Sequence, residues 1–204
     1  MEAALAFLQQ PQIAIPIVIV TVAAIFLTGR RWTALYVGLM PVINWAFAGI
    51  STIPIPDDFG GGSWHPFTII TGLVLVIRDF AQREIRHWIF GAMLIGLALS
   101  TLTAWPVIVV ASGVAFLISE TADWAVYTFS NRPLSQRIMM SSAVSAPIDQ
   151  VLFIYLASMI VPGIFAWGTI LTGVVSKLVG AYVVSRIVAA QERRGALQND
   201  MNPA

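Results

Sequence analysis

Cysteine is absent from the sequence and charge is scarce. Without Cys the chain can form no disulfide, no thiolate metal site and no cysteine nucleophile. Charged residues make up 10% of its 204 positions, against about 25% in a typical soluble domain, so water is not its main solvent. The formal net charge of +1, with no Lys/Arg-rich run outside short connections and the tail, excludes the electrostatic footprint of a nucleic-acid binder. Only two histidines occur, His65 and His87. They fall near opposite ends of the apolar segments and fit no metal-ligand spacing, so neither a metal nor another cofactor is expected. There is no P-loop, no nucleophile motif, no repeat with a period of about 20–50 residues and no obvious inverted symmetry between the halves, which leaves room for weak transporter symmetry in the fold.

What the sequence does have is long apolar runs. Hydrophobic residues make up 58% of the chain and the mean hydropathy is +0.83. The runs do not alternate, which excludes a spanning barrel and leaves helices as the only way to satisfy the backbone in lipid. Seven segments of about the length of a bilayer crossing are predicted, at about 11–28, 32–50, 66–85, 87–104, 105–129, 138–161 and 164–189. The fifth is divided from the fourth at Trp105-Pro106, because proline favours a helix start and pushes the residue before it out of the α region. The fold class is therefore all-α, a polytopic membrane helix bundle of seven transmembrane helices. The first run lacks a basic leader and a small-residue cleavage site, so it reads as a retained helix.

Arg30 and Arg31, Arg83 and Arg86, Arg132 and Arg137, and Arg186, Arg193 and Arg194 follow alternate spans. The opposite connections carry Glu2, Asp57 and Asp58 but no Lys or Arg. Cytoplasmic loops hold the basic excess, so the N-terminus is expected outside and the C-terminus in the cytoplasm, in a multi-pass protein of the inner membrane. The longest connection, 51–65, contains Pro54, Pro56 and three consecutive glycines and suits either a flexible external loop or a re-entrant lid. Trp88, Trp105 and Trp167 read as interfacial anchors.

Ionisable groups deep in a span mark functional sites by default. Asp149 and Lys177 fall near the middle of their spans, Glu120 somewhat nearer the cytoplasmic end and Asp123 one turn further. Helical spacing gathers Phe116, Glu120, Asp123 and Tyr127 on one face, and Ser142, Asp149 and Phe153 on another. Gly173 and Gly180 share a side with Lys177, allowing close backbone approach. Asn44 adds an amide to the second span. Lys177 either serves a solute or pairs with Asp149 or Glu120 to pin the helices; Asp123 either contacts solute or pairs with Arg78 or Arg132. Three acids against one Lys leave surplus negative charge unless Arg78 reaches inward as their charge partner or a proton intervenes.

The order of these features resembles the queuosine precursor transporter family, also called the vitamin uptake transporter family. It runs from Asn44 through His65-Pro66-Phe67 and Arg78, Ala111-Ser112 and Glu120-Thr121-Ala122-Asp123, to Arg132, Arg137, Ser141-Ser142-Ala143, Asp149 and Lys177. The resemblance covers 35–190 and implies six core helices. Residues 1–31 then form an additional N-terminal transmembrane helix, 32–190 the transporter-like membrane domain and 191–204 a polar cytoplasmic tail. It also implies uptake of a 7-deazaguanine such as 7-cyano-7-deazaguanine for queuosine biosynthesis. Three positions depart from the family pattern: Val74 and Leu75 stand where an acid is common, Glu120 where Gln is, and Ala146-Pro147 where Asn is.

The substrate-binding set expected is Asn44, Phe116, Glu120, Asp123, Tyr127, Asp149 and Lys177. A carboxylate would take the adjacent N–H donors of the base, Asn44 or Lys177 its carbonyl, and an aromatic ring its face. No enzymatic activity is expected. Proton coupling, a homo-oligomer and an energising partner all remain compatible with the sequence. The alternatives are a substrate-binding subunit of a modular vitamin importer and a membrane scaffold that transports nothing.

Overall fold

The computed structural model describes residues 2–104 and 106–195; for 2–4, 48–49 and 106–108 it describes the backbone alone. Among these residues the chain forms eight α-helices and one small hairpin. They are α1 (Glu2–Leu8), α2 (Pro11–Leu27), α3 (Arg31–Gly49), α4 (Thr68–Ile85), α5 (Ile89–Ser100), α6 (Pro106–Phe129), α7 (Leu134–Ser158) and α8 (Trp167–Arg193), with the strands β1 (Ile53–Pro54) and β2 (Ser63–Trp64) between α3 and α4. The all-α bundle is as the apolar runs predicted. α2 to α8 fall on the seven runs in order, and α6 begins at Pro106 after a turn that follows Ser100. Trp105, where the division was expected, and 196–204 of the tail lie outside the described residues.

Among the described residues, three helical segments are long and apolar enough to cross a membrane on composition alone: Val109–Phe129, Leu134–Ser158 and Trp167–Arg193. α4 falls short because it carries Arg78, Asp79, Arg83 and Glu84. The bundle is inside-out relative to a soluble protein. Arg78, Asp79, Glu120, Asp123 and Arg137 are fully buried, while Leu27, Val110, Leu171 and Val183 are exposed. That is the arrangement expected where lipid, not water, is the solvent. Buried apolar side chains gather in two clusters. One joins α3, α4 and α5 around Tyr36, Met40, Val74, Ile89 and Met93; the other joins α4, α6, α7 and α8 around Val76, Tyr127, Leu134, Ile138 and Val188.

Helix ends fix the pairing of neighbours. At the C-terminal end of α4 the Glu84 carboxylate accepts hydrogen bonds from the Trp32 and Thr33 N–H groups at 3.0 and 2.9 Å and from the Thr33 hydroxyl at 3.0 Å. At the end of α8, Glu192 accepts from the Ser135 N–H at 3.1 Å and the Ser135 hydroxyl at 2.6 Å. Each acid satisfies N–H groups that the first turn of a helix leaves without intrahelical partners. α3 thus returns antiparallel as α4, and α7 as α8. Arg30, Arg31, Arg83, Arg86, Arg132, Arg193 and Arg194 flank helix termini at this same end, here termed the basic end.

One boundary corrects the expectation. The sixth span was expected to start at 138, leaving Arg137 in a basic loop. Instead Pro133, extended at ψ 151°, ends the connection, α7 starts at Leu134, and Arg137 is drawn into the interior with no exposure.

At the opposite end, β1 and β2 pair antiparallel, with Ile53 opposite Trp64 and Pro54 opposite Ser63. Gly60, Gly61 and Gly62 all have positive φ (90°, 64° and 83°), a backbone that side chains with a Cβ rarely adopt. The resulting turn lies on the start of α8. The Gly168 N–H donates to the Gly60 carbonyl at 3.2 Å, the Ser63 N–H to the Thr169 hydroxyl at 2.9 Å, and the Trp64 indole N–H to the Ser176 hydroxyl at 2.8 Å. The connection 51–65 is therefore an ordered hairpin docked on the bundle. At the same end, Gln9 donates to the Thr101 carbonyl at 2.8 Å and the Ala104 carbonyl at 3.2 Å, tying the start of α2 to the α5–α6 turn.

Candidate functional site

A polar chain runs through the middle of the bundle in two connected parts. Nearer the hairpin, Lys177 on α8 places its ammonium 2.5 Å from Asp149 Oδ2 and donates to Gln150 Oε1 at 2.7 Å, both on α7. Ser119 on α6 donates to Asp149 Oδ1 at 3.3 Å, and Gln150 Nε2 donates to the Thr169 carbonyl at 3.3 Å. The Asp149 side chain is 19% exposed and that of Lys177 only 4%. The carboxylate is therefore the more open partner of the pair.

One residue further along α6 the second part begins. Arg78 on α4 holds Nε 2.9 Å from Glu120 Oε2. Its Nη1 donates to Asp123 Oδ2 at 2.6 Å and to Asp79 Oδ1 at 3.0 Å, and its Nη2 to the Glu120 carbonyl at 3.1 Å. Asp123 accepts a further hydrogen bond from Ser145 at 3.0 Å. The planar guanidinium fork suits such convergence, which a single ammonium could not satisfy. All four charged side chains have no exposure. Towards the basic end, Gln82 donates to the Thr128 hydroxyl at 3.0 Å and Arg137 lies over the Tyr127 ring, 4.7 Å from its centroid.

The electrostatics of the two parts differ. Lys177 and Asp149 balance, whereas Arg78 faces three carboxylates, a surplus that invites a proton, a cation or a donor from a bound solute. Several buried atoms here have no hydrogen-bond partner among the described residues, namely Glu120 Oε1, Asp79 Oδ2 and the Tyr36 and Ser142 hydroxyls. Tyr36 packs on Phe116 with ring centroids 6.5 Å apart. Buried polar groups are ordinarily satisfied, so these atoms mark places where a polar guest gains bonds.

Outside this chain two apolar grooves open on the surface. A groove of about 480 Å³ between α2 and α3 is lined by residues including Val18, Val22, Phe26 and Gly38. Another, of about 370 Å³, is lined by residues including Phe59, Pro147, Trp167 and Leu171. Neither contains a charged residue. Among the described residues, no group of three or more His, Asp or Glu side chains is arranged to hold a metal ion.

A family model described as "Putative vitamin uptake transporter" matches residues 66–190, which include every charged member of this chain. The protein belongs to that family. Neither the curated proteins nor the solved structures give a match. It is thus a member of a membrane transporter family, and the buried chain of charges is the transporter's candidate site.

The transporter brings together Glu120, Asp123, Asp149 and Lys177 from the expected set, with Arg78 as charge partner and Phe116 at the edge. Two expected residues are engaged elsewhere. Asn44 donates to the Met40 carbonyl and the Ser100 hydroxyl, both at 3.0 Å, on the α3–α5 contact. Tyr127 is fully buried beneath Arg137.

Ser119, Ser145, Gln150, Asp79 and Tyr36 belong to the network without having been singled out. The spacing Ser142, Ser145, Asp149 is a helical stripe that could have revealed one of them; the others needed the partner helix. His65, just before α4, stacks on Phe47 with centroids 4.1 Å apart and accepts from the Phe67 N–H through Nδ1 at 3.2 Å. Burial lowers its pKa, against the opposing pull of the Ile50 and Phe47 carbonyls.

Proposed function

We propose that this transporter imports a small planar polar solute of the queuosine-precursor class, 7-cyano-7-deazaguanine or a related 7-deazaguanine, across the inner membrane. The N-terminus lies outside and the C-terminus in the cytoplasm, residues 32–190 form the transporter domain and α2 is an addition to it. The single observation that carries the reading is the Asp149–Lys177 pair, desolvated yet partly open, with Ser119, Gln150 and the unsatisfied Glu120 Oε1 beside it.

A 7-deazaguanine offers adjacent N–H donors and a carbonyl. Its donor edge fits a carboxylate, Asp149 or Glu120, and its carbonyl fits the Lys177 ammonium. Phe116 and Tyr36 supply aromatic surface for the ring. Solute binding exchanges the ion pair for two solute contacts, which leaves no charge buried alone. The carboxylate surplus around Arg78 favours coupling to a proton, and a protonophore should then abolish accumulation. Uptake that survives the protonophore favours an energising partner or passive flow.

The test is uptake of labelled 7-deazaguanines into vesicles containing the protein, with guanine and an unrelated vitamin as competitors. Accumulation blocked by unlabelled deazaguanine, and lost in Asp149→Ala and Glu120→Ala proteins that still insert, is the expected result. No accumulation of any deazaguanine removes the cargo, and unchanged uptake in both variants removes the site.

A further inference from the structure

The whole of α4 and the C-terminal three quarters of α8 repeat one another 108 positions apart. Gly72, Val76, Arg78, Ala81, Glu84 and Arg86 recur as Gly180, Val184, Arg186, Ala189, Glu192 and Arg194, six identities across the 21 positions 66–86 and 174–194. The structure repeats with the sequence. Glu84 holds Thr33 by N–H and hydroxyl as Glu192 holds Ser135.

The contact between the helices has the same symmetry. A methyl group on Gly72 would overlap the Lys177 backbone, and one on Gly180 would press on the Ile69 carbonyl and the Gly72 backbone. Ile69 and Lys177 are themselves equivalent positions, so the two close approaches are mates across a pseudo-two-fold axis. α4 and α8 run the same way, which sets that axis along the helices, as in transporters built from parallel repeats.

Polar contacts between the two units lie on either side of this crossing. Towards the hairpin end, Gly60, Ser63 and Trp64 of the first unit bond to Gly168, Thr169 and Ser176 of the second. Towards the basic end, Arg78 and Gln82 of the first bond to Glu120, Asp123 and Thr128 on α6. The Asp149–Lys177 pair belongs wholly to the second unit.

We propose that the α3–hairpin–α4 unit and the α6–α7–α8 unit rock about the Gly72/Gly180 crossing, with the hairpin contacts as one latch and the Arg78/Gln82 contacts as the other. The latches open alternately, and the structure has both closed. Close-packed glycine backbones suit a pivot because no side chain need change rotamer as the crossing angle changes. Each latch is a discrete set of hydrogen bonds, so opening is a two-state event that a solute can bias. This inference rests on the transport reading but not on the identity of the cargo.

The chain has no cysteine of its own, so introduced pairs report without background. Ser63→Cys with Thr169→Cys marks the hairpin latch, and Gln82→Cys with Thr128→Cys marks the other. Each pair is closed with a short thiol-specific linker in purified protein that remains monodisperse, and a single cysteine at the opposite latch is labelled with a polar maleimide. Closing one latch should speed labelling at the other severalfold, and dithiothreitol release of a disulfide-forming linker should reverse it. Unchanged labelling in both directions overturns the two-latch cycle.

Should the paired variants fail to fold, Trp64→Phe keeps the ring and removes only the N–H donated to Ser176. It should raise labelling of Thr169→Cys and lower that of Thr128→Cys by roughly two- to tenfold, the range one hydrogen bond commands; equal labelling with and without Trp64→Phe is equally fatal. Because none of these readouts uses cargo, a failed deazaguanine assay leaves them decisive.

Discussion

Arg78 and Lys177 are both cations sunk in the bundle, but they are held in opposite ways. Arg78 contacts three carboxylates and a carbonyl, has no exposure and joins helices of different units. Lys177 meets one carboxylate and one amide within its own unit, and that carboxylate is partly exposed. The difference separates holding from exchanging. A guanidinium with many partners loses too much when any one leaves, whereas an ammonium with two partners can trade one for a solute.

Removing Arg78 should have the largest effect on stability. Arg78→Met strands three buried carboxylates and should cost about 3–5 kcal/mol, read as a large fall in thermal stability in detergent. Arg78→Lys should recover only part of it, for want of the planar fork. If Arg78→Met melts with the parent protein, the contrast collapses. Asp149→Asn should instead lower solute uptake by at least about tenfold, as expected for loss of a charge-assisted hydrogen bond worth about 1.5–3 kcal/mol, while melting moves much less than in Arg78→Met.

Combining Asp149→Asn with Lys177→Met sharpens the contrast. The double variant should be no less stable than the worse single variant, because it leaves no lone buried charge, yet it should remain inactive in uptake. Smaller still, Glu84→Ala and Glu192→Ala should each cost about 0.5–2 kcal/mol, the range for loss of a helix cap. Near-equal losses in thermal melts are expected from equivalent positions, and a strong asymmetry would weaken the repeat. Last, Asn44→Ala should cost about 0.5–1.5 kcal/mol through its bond to Ser100 and leave the concentration dependence of uptake unchanged, since its amide serves the α3–α5 contact.

Most of the bundle was legible because lipid imposes a long apolar period that hardly depends on tertiary context. Ionisable residues within those runs pointed to the buried polar chain for the same reason, as Glu120, Asp123, Asp149 and Lys177 illustrate. What could not be read were the partners. Arg137 counted as a loop arginine because a sum over basic residues does not locate the helix start that Pro133 sets three residues earlier. The bond from Asn44 to Ser100 was not legible because Ser100 lies on another helix. The repeat escaped because its period is far longer than a solenoid unit, and lipid-facing positions between the matched residues can vary among apolar side chains without changing the packing.

The polar content of α4 also bears on how the protein reaches the membrane. Near the centre of an inserting helix, an Arg or Asp opposes partition into lipid by about 2.5–3.5 kcal/mol each, and α4 carries Arg78 and Asp79 side by side. The carboxylates that compensate Arg78 from outside its own helix, Glu120 and Asp123, belong to a segment synthesised some forty residues later. On the proposed seven-span topology, integration of α4 would then depend on α6, and the first half of the chain would enter the membrane cooperatively with the second.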